Sequence, residues 1–228
     1  MEQVLANCFS ESEIQHMLKY AREHFVKLDD APFNQKSRDD KFDLFWEVIY
    51  PKIRDFIPAS DYFKIKGGFL NETTAPYKIH TDGARTLDER VMCTVLLPLA
   101  LSFDDETKYD RMKNRLFIFE QSADLATVFR LNCSEAQLTP YYRYAVTLND
   151  YRDMMSGSTG EAFNNAKILD LCNHLSPEEF FGLSVKLDTT WDIGKCIIFH
   201  PHNLHVSTNF TNLGIRSKTN LVYSLLYK

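Results

Sequence analysis

Apolar positions near the N-terminus recur at three- and four-residue steps. Ile14, Met17, Leu18, Ala21 and Phe25 form one stripe, and Ser10 and Glu13 stand ahead of it at capping-box spacing. Phe42, Phe45, Trp46, Ile49 and Ile53 form a second stripe, which ends before Pro58. The pattern predicts helices within residues 1–57, with Phe42, Phe45 and Trp46 as core contacts beneath a sheet. From residue 62 the texture changes to short runs rich in β-branched and aromatic residues, at 62–70, 77–81, 91–97, 116–119, 183–187, 196–199, 204–207 and 220–227. Helices followed by short strands predict a mainly β fold with flanking helices, a sandwich or barrel. Between about 121 and 176 the strand signal lapses. That insertion carries a helical stretch at 161–174 and a patch of Tyr141, Tyr142, Arg143 and Tyr144, and it reads either as a lid over a site or as a cap on an open barrel end. With no internal repeat and no Pro-, Gly- or Ser-rich linker, residues 1–228 read as a single domain whose core spans 62–227.

Composition narrows the function classes. The chain has 228 residues, 44% hydrophobic and 25% charged, which is enough for an ordinary hydrophobic core. Only eight Gly are present and neither GxGxxG nor GxxxxGK[ST] occurs, so a glycine-rich phosphate cradle is not expected. A net charge of -5, without a long basic run, argues against a nucleic-acid partner. Cys8, Cys93, Cys133, Cys172 and Cys196 are scattered with no CxxC pair, which points to reduced thiols rather than a zinc clamp. The N-terminus lacks the pattern of a secretory signal, and no apolar run approaches the ~18 residues of a membrane span, so a soluble cytoplasmic protein without a membrane partner is expected. The acidic cluster Asp104, Asp105 and Glu106 reads as a solvated hairpin tip, since no EF-hand loop surrounds it.

The chemistry is concentrated in two places. Tyr77-Lys78-Ile79-His80-Thr81-Asp82 carries an HxD pair, and on a strand residues two apart point to one face, so His80 and Asp82 can offer an imidazole and a carboxylate to one cation. Alone this is weak, because a core histidine held by a nearby aspartate has the same spacing. Far downstream, a buried-type run at 196–199 leads through His200-Pro201-His202-Asn203 to His205. A third ligand from this segment completes two histidines and a carboxylate on one side of a metal, leaving the opposite side open, as in non-haem Fe(II) oxygenases. His205 is the favoured third ligand. His200 and His202 are alternatives, but they straddle Pro201 where a turn is expected. Beyond them lie Arg216, favoured because its guanidinium fork binds a carboxylate through two hydrogen bonds, and Lys218, the alternative if the strand starts later; each can anchor a carboxylate only if its strand register turns it inward. Arg85 reads as a surface charge near Asp88 and Glu89 more readily than as a substrate contact.

With these residues in view, the sequence resembles the Fe(II)/2-oxoglutarate-dependent oxygenases, whose core is a double-stranded β-helix, or jelly roll. The resemblance covers residues 62–227 and rests on His80 and Asp82, on His205 after the 194–199 segment, and on the downstream Arg216. Tyr77 adds the Y-x-x-H-x-D form of prolyl-hydroxylase-like members, although the phytanoyl-CoA-hydroxylase-like branch also fits. The resemblance implies Fe(II) held by His80, Asp82 and His205, with 2-oxoglutarate and O2 as co-substrates. It further implies a basic anchor, Arg216 or Lys218, for the distal carboxylate, with Tyr77 as a further 2-oxoglutarate contact. The implied reaction oxidises 2-oxoglutarate to succinate and CO2 and hydroxylates a peptide or amino-acid side chain, or a small metabolite. Asp82 stands where halogenating relatives carry a small residue. Two other function classes compete: a non-catalytic metal-binding barrel, and a cupin-like enzyme that does not use 2-oxoglutarate.

Overall fold

The computed structural model describes residues 2–28, 35–82, 91–123, 130–131, 145–146, 155–156 and 163–228. The patch at Tyr141, Tyr142, Arg143 and Tyr144 lies outside the described residues, as do Arg85 and Cys133. The strands among the described residues are, in chain order, β1 (Gln3–Leu5), β2 (Val26–Lys27), β3 (Gln35–Asp39), β4 (Phe63–Thr73), β5 (Val91–Phe103), β6 (Arg115–Ala123), β7 (Arg130–Leu131), β8 (Ala145–Val146), β9 (Met155–Ser156), β10 (Val185–Thr190), β11 (Cys196–Phe199), β12 (Asn203–Ser207) and β13 (Ile215–Tyr227). The large sheet has the order β1-β11-β5-β13-β4-β3-β2, and a smaller sheet has the order β10-β6-β12 with β9 on β6. All of these pairings are antiparallel. Successive strands cross between the two sheets, as in a jelly roll.

Alternation along the strands builds the layers. On β6, Leu116 and Ile118 turn inward against Ile197 and Phe199 of β11, forming the core between the sheets. Phe117 and Phe119 turn outward and join Leu204 and Val206 of β12 beneath a helical segment that contributes Ile168, Cys172, Leu175 and Phe180. The outer face of the large sheet presents Cys93, Val95, Leu97, Ile198, Leu221, Tyr223 and Leu225 to the N-terminal helices. Because strands buried on both faces read as unbroken apolar runs, 91–97, 116–119 and 196–199 were visible in the sequence.

The first helix, α1 (Glu11–His24), begins with the expected capping box, in which Ser10 and Glu13 satisfy each other's backbone N–H groups, and it buries Ile14, Met17, Leu18 and Ala21. The second stripe forms a π-helical turn, Phe45–Ile49, that runs into α2 (Tyr50–Ile53). Phe45 is fully buried, whereas Trp46 is 37% exposed and stacks on Phe63 at 5.6 Å, so its place in the core is at the margin. The predicted helix at 161–174 contracts to α3 (Ala166–Leu171), whose first turn is capped by Asn165. Two short strands, β1 at one edge of the large sheet and β3 next to the other, have too little apolar alternation to be read from sequence. The predicted strand at 77–81 does not form a ladder. Pro76 precedes it, and only His80 makes a bridge, to His205. The acidic cluster sits at the turn between β5 and β6, where Asp105 caps the turn Glu106–Lys108. None of the described helices is long and apolar enough to cross a membrane.

One close approach ties the helical layer to the sheet. Gly68 of β4 faces Tyr223 of β13, and a Cβ there would lie 2.3 Å from the Tyr223 ring. The bare backbone lets that ring lie flat, and its hydroxyl donates to Asp39 Oδ2 at 2.8 Å. Asp39 Oδ1 in turn accepts from the backbone N–H groups of Lys41 and Phe42. Replacing Tyr223 with Phe leaves this buried carboxylate short of a donor. The expected loss is about 1–3 kcal/mol in urea or thermal unfolding, with the fold retained.

Candidate metal centre

The centre is made by two backbone hydrogen bonds. The N–H of His80 donates to the carbonyl of His205 at 3.1 Å, and the N–H of His205 donates to the carbonyl of His80 at 2.9 Å. Residues paired in this way project their side chains to the same side, and the two imidazole centroids lie 4.2 Å apart. Asp82 follows two residues after His80, and its N–H donates to Pro201 O at 2.9 Å, which fixes the end of the segment against the turn before β12. Its carboxylate reaches both rings: Oδ1 is 4.0 Å from His80 Nε2 and Oδ2 is 3.7 Å from His205 Nε2.

Both ring tautomers are set from behind. His80 Nδ1 donates to Lys78 O at 2.8 Å, and His205 Nδ1 donates to Asn203 O at 3.1 Å. With the proton on Nδ1, each Nε2 lone pair points into the cluster, as metal ligation requires. Asn203 is itself held, its Nδ2 donating to the carbonyls of Phe119 and Glu120 at 2.8 and 3.3 Å. The Phe199 ring meets His205 edge-on at 4.9 Å. His205 is 5% exposed, in the space between the sheets, since its neighbours Leu204 and Val206 pack outward.

The ligand atoms of His80, Asp82 and His205 all lie within 4.8 Å of one another, and among the described residues this is the one such group of three. Ligands bonded at roughly 2.0–2.2 Å to one ion stand about 3–3.5 Å apart, so binding a cation needs a closing movement of at most about 1–2 Å. The nitrogen and oxygen donor set suits a divalent first-row metal rather than a soft ion. His200 and His202 lie elsewhere. Their rings are 5.3 Å apart, the His202 N–H donates to His200 Nδ1, and burial together with the facing His202 holds the His200 imidazole below its ordinary pKa.

The two candidate anchors part company on β13. Between Ile215 and Ser217, β13 advances two residues while β5 advances one, from Phe103 to Ser102. Arg216 is the extra residue of this bulge. It is exposed, with Nε donating to Ser102 Oγ at 3.4 Å. Beyond the bulge the pairing with β4 is regular, so Lys218, Asn220 and Val222 face the small sheet, opposite to Leu221, Tyr223 and Leu225. Lys218 is 2% exposed, and its ammonium has no hydrogen-bond partner among the described residues. Its nearest company is aromatic, the Phe210 ring at 4.6 Å and the Trp191 ring at 5.1 Å. Burial pulls its pKa down to about 7. Trp191 is placed by the turn before β11. Burial pushes the Asp192 carboxyl there up, but hydrogen bonds from Arg111, Lys195 and Thr190 more than offset this and hold it well below the usual range. Tyr77 lies with its ring 5.5 Å from that of His80, in a segment without strand alternation. Asn203 and the carbonyl of Lys78 escaped the sequence reading, because hydrogen bonding through the backbone leaves no residue-type signature.

At the level of sequence, no family model and no curated protein matches the chain. Solved structures do resemble it in shape. EvdO2 from Micromonospora carbonacea var. aurantiaca, complexed with 2-oxoglutarate, is 11% identical with a TM-score of 0.49, over 100% of this chain and 86% of that one. HygX from Streptomyces hygroscopicus, with nickel and 2-oxoglutarate bound, is 10% identical with a TM-score of 0.48, over 99% and 82%. The epimerase SnoN, in complex with Fe3+, alpha ketoglutarate and nogalamycin RO, is 13% identical with a TM-score of 0.46, over 100% and 81%.

His80→Ala and Asp82→Ala are each expected to abolish Mn(II) or Co(II) binding in a calorimetric titration, whereas His202→Ala leaves it intact. Retained affinity in the first two variants would remove the cluster as a metal centre.

Proposed function

We propose that the protein is an Fe(II)- and 2-oxoglutarate-dependent oxygenase. His80, Asp82 and His205 hold the metal, and Lys218 rather than Arg216 anchors the distal carboxylate of 2-oxoglutarate. The observation that carries this reading is the pairing of a three-ligand cluster with a buried ammonium, on the inner face of the neighbouring sheet, that has no hydrogen-bond partner among the described residues. A desolvated, unpaired ammonium is costly. A carboxylate delivered to it supplies the missing acceptor, and aromatic walls at Trp191 and Phe210 keep water from competing.

When bound, Fe(II) supplies the centre at which O2 oxidises 2-oxoglutarate to succinate and CO2, with the second oxygen atom going to a C–H bond of the substrate. The chain's own part is orientation. Lys78 O and Asn203 O keep both Nε2 atoms aimed at the metal. Asp82 offsets cationic charge and is fixed through its backbone to Pro201. Lys218 sets which end of the oxo-acid faces the metal. As for the substrate, a peptide or amino-acid side chain and a small metabolite both fit this reading, and hydroxylation is the simplest outcome for it. The analogous residue at Tyr77 is assigned a supporting contact to 2-oxoglutarate.

The test is succinate formation that depends on Fe(II), 2-oxoglutarate and O2, together with binding of 2-oxoglutarate or its oxalylglycine mimic. Lys218→Met is expected to weaken 2-oxoglutarate by about 1.5–3 kcal/mol, the range for a charged hydrogen bond, while sparing Co(II). Arg216→Ala is expected to change neither. The reverse pattern would move the anchor to Arg216, and metal binding with no 2-oxoglutarate affinity would favour a cupin-like or non-catalytic protein.

A pH signature follows from the lowered Lys218 pKa of about 7. Between about pH 7 and the ordinary lysine range, Lys218 is protonated only in the unfolded chain, so the stability of the ligand-free protein gains a rising contribution from this residue across that window. Over the same window, a bound carboxylate favours the ammonium, so 2-oxoglutarate binding at pH 8 takes up close to one proton. Calorimetry in buffers of different ionisation enthalpy measures this uptake, and it is absent in Lys218→Met.

A further inference from the structure

Resting on the metal centre proposed above, we infer that His174 and Glu179, from the helical segment outside the small sheet, are positioning residues for the metal ligand His80. His80 lies at the end of an irregular stretch. Its Nδ1 is oriented by the carbonyl of Lys78 at 2.8 Å, and that carbonyl belongs to no strand ladder. Something else has to hold it in place.

Two side chains from one segment do so from either side of the same peptide. His174 Nε2 donates to the carbonyl of Tyr77 at 3.0 Å, so the residue preceding Lys78 is pinned through its backbone. Glu179 Oε1 stands 3.5 Å from Lys78 Nζ, so Lys78 is pinned through its side chain. Between Lys78 and His80, Ile79 is fully buried with Ile168, Cys172, Leu175 and Phe180 of that segment. Glu179 is 4% exposed, and its Oε2 makes no hydrogen bond among the described residues. A carboxylate so desolvated is retained at a cost that packing alone does not explain. His174 is held neutral by burial, which lowers its pKa, so the ring keeps a single donor, spent on Tyr77 O. Consecutive carbonyls thus have divided duties: that of Tyr77 accepts a hydrogen bond from the helical side, and that of Lys78 accepts one from the proposed metal ligand His80. The carbonyl behind a ligating imidazole is an outer-shell partner, whose loss typically weakens metal affinity 10–100-fold. Here the control of that carbonyl lies one step further out.

The full-length chain is titrated with Co(II), reading both affinity and the visible ligand-field spectrum. His174→Leu, which removes the donor, is expected to weaken Co(II) about tenfold and alter the spectrum. His174→Gln, whose amide nitrogen can donate to the same carbonyl, is expected to recover most of both. Glu179→Gln is expected to weaken Co(II) about threefold, and it carries the test if His174→Leu does not fold. Tyr223→Phe, which destabilises the opposite side of the large sheet, serves as the stability control and is expected to leave Co(II) unchanged. The inference is overturned if His174→Leu and Glu179→Gln bind Co(II) like the wild type, if Tyr223→Phe weakens Co(II) as much as they do, or if His174→Gln fails to restore binding. Co(II) binding without succinate formation in the wild type would sink the oxygenase reading alone, whereas a wild-type chain that does not bind Co(II) would sink both.

Discussion

The reciprocal backbone pair between His80 and His205 is the constraint from which the centre follows. Two hydrogen bonds, 3.1 and 2.9 Å long, set two residues directly opposite each other, and antiparallel pairing then decides that both imidazoles leave on the same side. No side chain has to search for the other. Since His205 alternates with Leu204 and Val206, the side chosen is the interior, and the outward packing of those two residues against Ile168, Cys172 and Phe180 makes the choice hard to reverse. A slip of one residue would carry His205 into the outer apolar layer and send Leu204 or Val206 toward the ligands. The metal centre is therefore stabilised largely by the burial of residues that never touch it.

The same logic shows why parts of the molecule were legible in the sequence and others were not. Runs buried on both faces, such as 91–97 and 196–199, announce themselves by apolar density, and α1 does so by its stripe and its Ser10–Glu13 box. The HxD pair and His205 stood out because few residue types can ligate a metal, and the structure brings the three side chains together. The short strands β1 and β3 did not stand out, because their pairing is through the backbone and shows no apolar alternation. The choice between Arg216 and Lys218 turned on a bulge. Nothing in Ile215-Arg216-Ser217-Lys218 reveals that β13 takes two residues where β5 takes one. Guanidinium chemistry favoured Arg216, yet the extra residue turns it to solvent and brings Lys218 inward. Trp46 misled for a related reason: helical spacing identifies a face, and a residue at the margin of that face packs on one side only.

Lys218 and the histidines present opposite solutions to burying polar groups. The imidazoles are oriented from within the chain, each by a carbonyl two residues upstream, so that both Nε2 atoms turn toward the Asp82 carboxylate. The lysine is satisfied by nothing but ring faces, which is a weak substitute for an acceptor. A protein that needed only to fold would gain by replacing it with an apolar residue of similar length, since unpaired buried charge costs stability. On the same inner face is buried Asn220, whose Oδ1 has no hydrogen bond among the described residues, so two polar side chains two residues apart are buried side by side. The fold thus sets the Asp82 carboxylate and two imidazoles on one layer and a buried lysine on the layer facing it. On the function proposed above, a metal ion answers the first group and a short oxo-acid dianion answers the second.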